Sequence, residues 1–139
     1  MDFFVNWLAA IPAYAAPLLL ACLGLITNER AGVLNLGAEG MMACGALAGA
    51  IISLTTGWPS LGILAAVIAG AMIALVFAVL TVSLRSNQVV SGLIIVALGA
   101  GLTGFLGREY VNKTLPGFYD LDWGGIANAW IIGPILFKQ

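Results

Sequence analysis

The chain has 139 residues, 62% of them hydrophobic and 8% charged, with a formal net charge of −1 and a mean hydropathy of +1.09. A soluble domain carries about 25% charged residues, so the composition excludes a soluble globular protein and points to an integral membrane protein. The near-neutral balance without a basic tail gives no sign of nucleic acid as a partner, and two cysteines with no histidine argue against a disulfide, a metal site or any cofactor held by such ligands.

The charges are clustered, and the gaps between them mark the elements. None lies between Asp2 and Glu29, between Glu39 and Arg85, or between Arg85 and Arg108. A spanning helix needs about 20 apolar residues, so the outer gaps each hold one crossing and the middle gap two. The expected fold is all-α and polytopic, with about four transmembrane helices. The first runs from Phe4 to Ile26 and is interrupted by Pro12 and Pro17, each of which removes a backbone hydrogen bond and kinks the helix. It reads as a membrane helix rather than a cleavable signal peptide, because Asp2 stands where a basic region would precede the apolar run and no cleavage site follows.

The polar turn Thr27 to Gly32 closes that helix. A second is expected from Val33 to Leu54, ending at T-T-G-W-P-S, where Gly57 and Pro59 are turn residues and Trp58 suits a membrane interface. The third spans Leu61 to Leu84, Arg85 to Asn87 make a polar turn, and the fourth runs from Gln88 to Leu106. Residues 107–125 mix charge, aromatics and glycine and read as a loop on the membrane surface. The last apolar piece, Ile126 to Phe137, is too short to cross and is split by Gly133-Pro134, which makes it an interfacial or re-entrant segment. No internal repeat is present.

In lipid, helices approach closely where side chains are small. Gly45 and Gly49 on the second helix, and Gly99, Gly101 and Gly104 on the fourth, are the expected packing residues. Cys22 and Cys44 fall in apolar segments and read as buried small hydrophobes. An even number of crossings puts Trp7, Trp58, Tyr110, Tyr119, Trp123 and Trp130 on one side and the turns with Arg30 and Arg85 on the other. If those turns are cytoplasmic the N-terminus is outside, although Arg108, Lys113 and Lys138 then count against the positive-inside rule.

Glu39 is the residue that demands an explanation. On a helix beginning near Val33, Asn35, Glu39 and Met42 fall at i, i+4 and i+7 and share a face. An ionisable group in a spanning segment costs at least about 2.5–3.5 kcal/mol at mid-membrane and is usually turned to a protein interior or a water-filled path. The plainer alternative is that Glu39 reaches water at the helix end or pairs with Arg30. Gly32, Gly37 and Gly40 favour a locally unwound helix, which in transporters exposes backbone groups to a solute.

The segment A-G-V-L-N-L-G-A-E-G-M-M, Ala31 to Met42, followed by a small-residue-rich helix and then L-R-S-N-Q-V-V-S-G-L, Leu84 to Leu93, resembles the inner-membrane permease subunits of bacterial ABC importers in the branched-chain amino acid and simple-sugar group, most of all the nucleoside or purine branch. The resemblance runs through the chain in order and is most specific at Ala31 to Met42 and Arg85 to Gly92. It implies a multi-pass protein of the bacterial inner membrane with its N-terminus outside. It further implies as partners a second permease subunit, identical or not, an ATP-binding cassette ATPase and an extracytoplasmic substrate-binding protein. Members of that group are longer and carry, in their second half, a cytoplasmic loop that docks on the ATPase; nothing here matches it, so the chain reads as the N-terminal half, whether a truncation, a partial gene or a separately encoded half.

No nucleophile–base constellation, phosphate-cradling loop or metal cluster is present, so the chain is expected not to be an enzyme and ATP hydrolysis belongs to the partner. Asn35, Glu39, Asn87, Gln88 and Ser91 are the candidates for lining or gating a path for a nucleoside or simple sugar. Asn87 and Gln88 are equally well placed as helix-start residues in a turn. A competing reading is a small four-helix proton-coupled exporter with Glu39 as proton carrier, against which Glu39 follows a charged turn instead of lying deep in the first helix.

Overall fold

The structure, a computed structural model, describes residues 2–115, without the side chains of residues 2–6, 9, 10 and 13. The expected segment from Ile126 to Phe137, the loop beyond residue 115, and Tyr119, Trp123, Trp130 and Lys138 lie outside the described residues. Those described are almost entirely helical. They divide into one unit holding the first helix through Ile26 and a second beginning at Thr27.

Helix α1 spans Asp2–Arg30 and carries Pro12 and Pro17 within it. At 29 residues it is about 43 Å long at the usual rise. It runs four residues past the expected end at Ile26, so the polar residues Thr27 to Arg30 form its last turn. A Schellman motif stops it: the Gly32 N–H donates to the Glu29 carbonyl at 2.9 Å and the Val33 N–H to the Asn28 carbonyl at 3.0 Å. The motif needs a left-handed residue, and Gly32 supplies it at φ 79°. Cys22, expected to be buried, is exposed on this helix, whereas Cys44 is buried; both are free thiols.

Helix α2 spans Ala38–Thr56, α3 Pro59–Ala78 and α4 Gln88–Leu106. The expected start of α2 at Val33 is wrong by five residues. After the Gly32 cap the chain stays extended, and the Asn35 Oδ1 accepts the Gly37 N–H at 2.9 Å, an Asx turn that competes with helix. At its other end α2 continues past Leu54 through Thr55 and Thr56, whose hydroxyls donate to the Ile51 and Ile52 carbonyls. Gly57, left-handed at φ 72°, then ends it. Pro59 occupies the first position of α3, where its missing N–H costs nothing. Helix α3 continues into a π-helical turn, Val79–Ser83, closed by the Leu84 N–H on the Val79 carbonyl at 2.9 Å. Helix α4 begins and ends as expected and passes into a 3-10 turn, Gly107–Tyr110.

Among the described residues three helical stretches are long and apolar enough to cross a membrane, Ala38–Thr56, Pro59–Ser83 and Gln88–Tyr110; the fourth expected crossing is α1. In the second unit α2 is central, packing on α3 along one side and α4 along the other. The packing is inverted relative to a soluble domain. Among the described residues the buried apolar side chains are Cys44, Phe77 and Ile95, joined by the hydroxyls of Ser53, Thr81 and Ser91, while Leu64, Val67, Met72 and Leu75 of α3 face outward. Helices in lipid gain nothing by hiding leucines from one another, so small residues take the seams.

Gly45 and Gly49 lie on the α2–α3 seam, where an added Cβ would come 3.1 Å from the Ala66 carbonyl oxygen and from the Gly62 carbonyl oxygen respectively. On the α2–α4 seam the opposed pair is Gly40 and Gly99. A Cβ at Gly101 or Gly104 would meet nothing within 4 Å, so among the described residues these two expected packing glycines touch no neighbour. They lie on a different side of α4 from Gly99, which helical periodicity predicts for spacings of two and five.

Candidate functional site

The seven residues between α1 and α2 leave helical geometry and run beside the first turns of α4. Gln88, the first residue of α4, accepts the Leu34 N–H on its Oε1 at 2.7 Å and reaches the Gly32 carbonyl with its Nε2 at 3.4 Å. One helical turn on, Gly92 leaves room for the chain at Leu36 and Gly37, to which an added Cβ would come within 2.9–3.0 Å. Ile95 packs on Gly37, and Gly99 on Gly40. Positions 88, 92, 95 and 99 share one face of α4, and that face is the bed on which the unwound segment and the start of α2 lie.

The end of the bundle that holds this segment also holds the Arg85 turn. Asn87 caps α4, its Oδ1 accepting the Val89 and Val90 N–H groups at 3.0 and 3.3 Å. Ser91 is 4% exposed and its hydroxyl lies 2.7 Å from that of Ser86, which in turn donates to the Leu80 carbonyl at 2.7 Å. The hydroxyl pair joins the π turn at the end of α3 to the first turn of α4. Trp58, between α2 and α3, lies at the opposite end.

Glu39 is the second residue of α2 and is exposed. A carboxylate in the first turn is favoured by the helix dipole, by about 0.3–1 kcal/mol at an exposed site. Among the described residues it makes no hydrogen bond or ion pair, with Arg30 or any other group. Asn35 is not on the helix, so the expected shared face of Asn35, Glu39 and Met42 does not form. The Asn35 carboxamide instead turns the chain into α2 and sets its Nδ2 3.7 Å from the Met41 sulfur.

Of the five expected residues, then, Asn35 and Gln88 bond the backbone of the break before α2, and Glu39 lies in the first helical turn after it without bonding to either. Asn87 and Ser91 are committed to holding the neighbouring helix start. The structure adds Ser86 and Gly92, and it places Gly40, expected to loosen the helix, inside α2 with α4 backbone opposite. The spacing of Gly92 and Gly99 was visible in the sequence, but a partner for it was not. The arrangement sets hydrogen-bonding groups and one carboxylate beside irregular backbone. Among the described residues no group of three or more metal-ligating side chains forms.

Comparison with known proteins places this architecture. Residues 7–119 match the family model described as the branched-chain amino acid transport system permease component. The chain belongs to that permease family. It is 47% identical over 118 residues to a putative glucose ABC transporter permease of Haloferax volcanii, covering 85% of this chain and 36% of that protein. It is 37% identical over 137 residues to a guanosine ABC transporter permease of Bacillus subtilis, covering 91% and 43%. A nucleoside ABC transporter permease of Lactococcus lactis subsp. cremoris is 32% identical over 152 residues, covering 97% and 47%. The chain thus spans less than half the length of these curated relatives. No solved structure matches it. The permease chain is a multi-pass membrane protein, and both segments that carried the resemblance in sequence, Ala31 to Met42 and Arg85 to Gly92, lie at the same end of its second unit.

Proposed function

We propose that this chain is the N-terminal half of the transmembrane subunit of an ATP-binding-cassette importer and contributes to the path of a small polar solute, a nucleoside or a simple sugar. The observation that carries the reading is the break before α2 in a chain of this family, with Glu39 set in the first turn after it and left without a protein partner among the described residues. A carboxylate and unwound backbone at a helix terminus are how membrane proteins present polar groups to a solute without lipid-exposed irregular chain. Sugars and nucleosides both offer hydroxyl donors to a carboxylate, and the relatives named for glucose, guanosine and nucleosides fit that class.

In this reading ATP hydrolysis belongs to a separate ATPase, and a second permease subunit and an extracytoplasmic binding protein complete the complex. The break and the Arg85 turn face the cytoplasm, the Trp58 end faces outside, and the membrane is the inner membrane of the cell. Glu39 binds or gates, Asn35 shapes the turn that presents it, and Asn87, Gln88 and Ser91 hold the helix beside it.

The test is Glu39→Gln in the full-length permease within its assembled transporter. The substitution keeps shape and one acceptor and removes the charge. Uptake per assembled complex is expected to fall about tenfold or more, the loss of a charge-assisted hydrogen bond of about 1.5–3 kcal/mol, with membrane insertion unchanged. Unchanged uptake per complex removes Glu39 from the path.

A further inference from the structure

The Gln88 carboxamide is the one side chain on α4 with both of its ends engaged by backbone far away in the chain, 54 and 56 residues distant. What it engages is a stretch that has lost its own helical bonding. There the Gly32 and Val33 N–H groups are taken by the α1 cap and the Gly37 N–H by Asn35. The Leu34 N–H has only Gln88 among the described residues. Gln88 itself stands at a fixed helix start, next to the Asn87 cap and flanked by the part-buried Ser86–Ser91 hydroxyl pair. Further along the same α4 face, Gly92, Ile95 and Gly99 dock Leu36, Gly37 and Gly40. These contacts are close but non-directional, and they set distance without setting the phase of the unwound residues.

We infer that Gln88 is a positioning residue: its carboxamide pins the Gly32–Leu34 backbone to the start of α4 and thereby sets where the break, and Glu39 beyond it, stand relative to that helix. It does not line the path. Its Oε1 and one of its N–H groups are turned to main chain, so a solute would compete with the pin for it. The pin also gives the break two definable states, because Leu34 is either bonded to Gln88 or released, and among the described residues no second protein group takes that N–H.

The inference rests on the proposed transport role only for its uptake arm; its structural arm stands by itself. In the full-length permease within its assembled transporter, amide hydrogen exchange is followed by mass spectrometry over peptides covering residues 31–37 in the parent, Gln88→Ala, Gln88→Met and Gln88→Glu. Met keeps the length of the side chain without donor or acceptor. Glu keeps the acceptor for the Leu34 N–H and gives up the long donor bond to the Gly32 carbonyl, so it isolates the Leu34 half of the pin. The expected result is that Ala and Met speed exchange at the Leu34 amide about tenfold, the equivalent of losing one hydrogen bond, while peptides from the middle of α2 and α4 keep their protection and Glu keeps the parent rate. Uptake per assembled complex should follow the same order, with Ala and Met impaired and Glu close to parent. Parent-like exchange at Leu34 in Gln88→Met overturns the pin. A general rise through α2 and α4 overturns it in favour of a stability role. Loss of uptake in Glu as well as Ala, with exchange at Leu34 unchanged in Glu, overturns the positioning role in favour of direct contact with solute. Faster exchange at Leu34 with uptake unaffected in every variant keeps the pin and counts against the transport role of the break.

Discussion

Replacing Gly40 by Ala tests the seam between α2 and α4. A Cβ at residue 40 would press on the Ile95 carbonyl oxygen and lie 2.6 Å from its carbon and 2.9 Å from the Val96 Cα. Carbon atoms rest at about 3.5–4.0 Å, and all three obstacles are main chain, which no rotamer change can clear. The helices must therefore part by about 1 Å, a gap that forfeits a quarter to a half of the dispersion well for each facing atom. Overpacking of this kind costs about 1–3 kcal/mol. The control is Gly101→Ala, one helix away, where an added Cβ meets nothing within 4 Å and replacing an interior helix glycine gains about 0.5–1 kcal/mol. Gly40, in the first turn of α2, gains at most that much, so a difference between the two variants beyond about 1 kcal/mol belongs to the seam. Unfolding of the purified full-length permease in mixed micelles, titrated with a denaturing detergent and followed by circular dichroism, should rank Gly101→Ala at or above the parent and Gly40→Ala about 1–3 kcal/mol below Gly101→Ala. Equal stability of the two variants would refute the account of this seam.

Two further measurements bear on the turns and on orientation. Gly32→Ala forces an L side chain into the left-handed cap of α1, at a cost of about 1–2 kcal/mol, and the same detergent titration should show the loss while Gly24→Ala, which meets nothing within 4 Å, shows none. Single cysteines at Glu29, Arg85 and Asn112, in a background lacking Cys22 and Cys44, should label with Glu29 and Arg85 accessible from the cytoplasm and Asn112 from outside; labelling of Arg85 and Asn112 from one side would contradict the orientation proposed above.

The helices were legible in the sequence because lipid imposes a coarse rule: long uncharged runs cross, and the gaps between charges counted them. Ends were less legible, for reasons that differ by site. The start of α2 depends on an asparagine bonding its own neighbourhood and on Gln88 taking a backbone N–H from more than fifty positions away, and no periodicity encodes that. The end of α1 at Arg30 was missed because charge was taken as the mark of a turn, whereas the left-handed glycine two residues later is what stops the helix. At the site, Glu39 was conspicuous as a carboxylate in an apolar context. Asn35 reads in the sequence as its companion on a helical face, and that face does not exist; its carboxamide bonds Gly37 and Met41 instead. The glycines divided by facing direction: Gly99 has backbone opposite and Gly101 has none, a distinction that needs the partner helix in place.

The π turn at the end of α3 shifts everything after it in phase. Such a turn holds one residue more than an α-helical path of equal rise, and each residue of an α-helix advances the side chain by about 100°. Were Val79–Ser83 to take up ordinary helical bonding with no residue lost, Ser86 would swing about 100° away from the Leu80 carbonyl and the Ser91 hydroxyl that it now meets. The Arg85 corner and the start of α4 would turn with it, carrying Gln88 off the backbone of Gly32 and Leu34. Deleting Val82 would take up the extra residue and leave the corner in phase, so the extra residue acts as an angular setting for the whole end of the bundle.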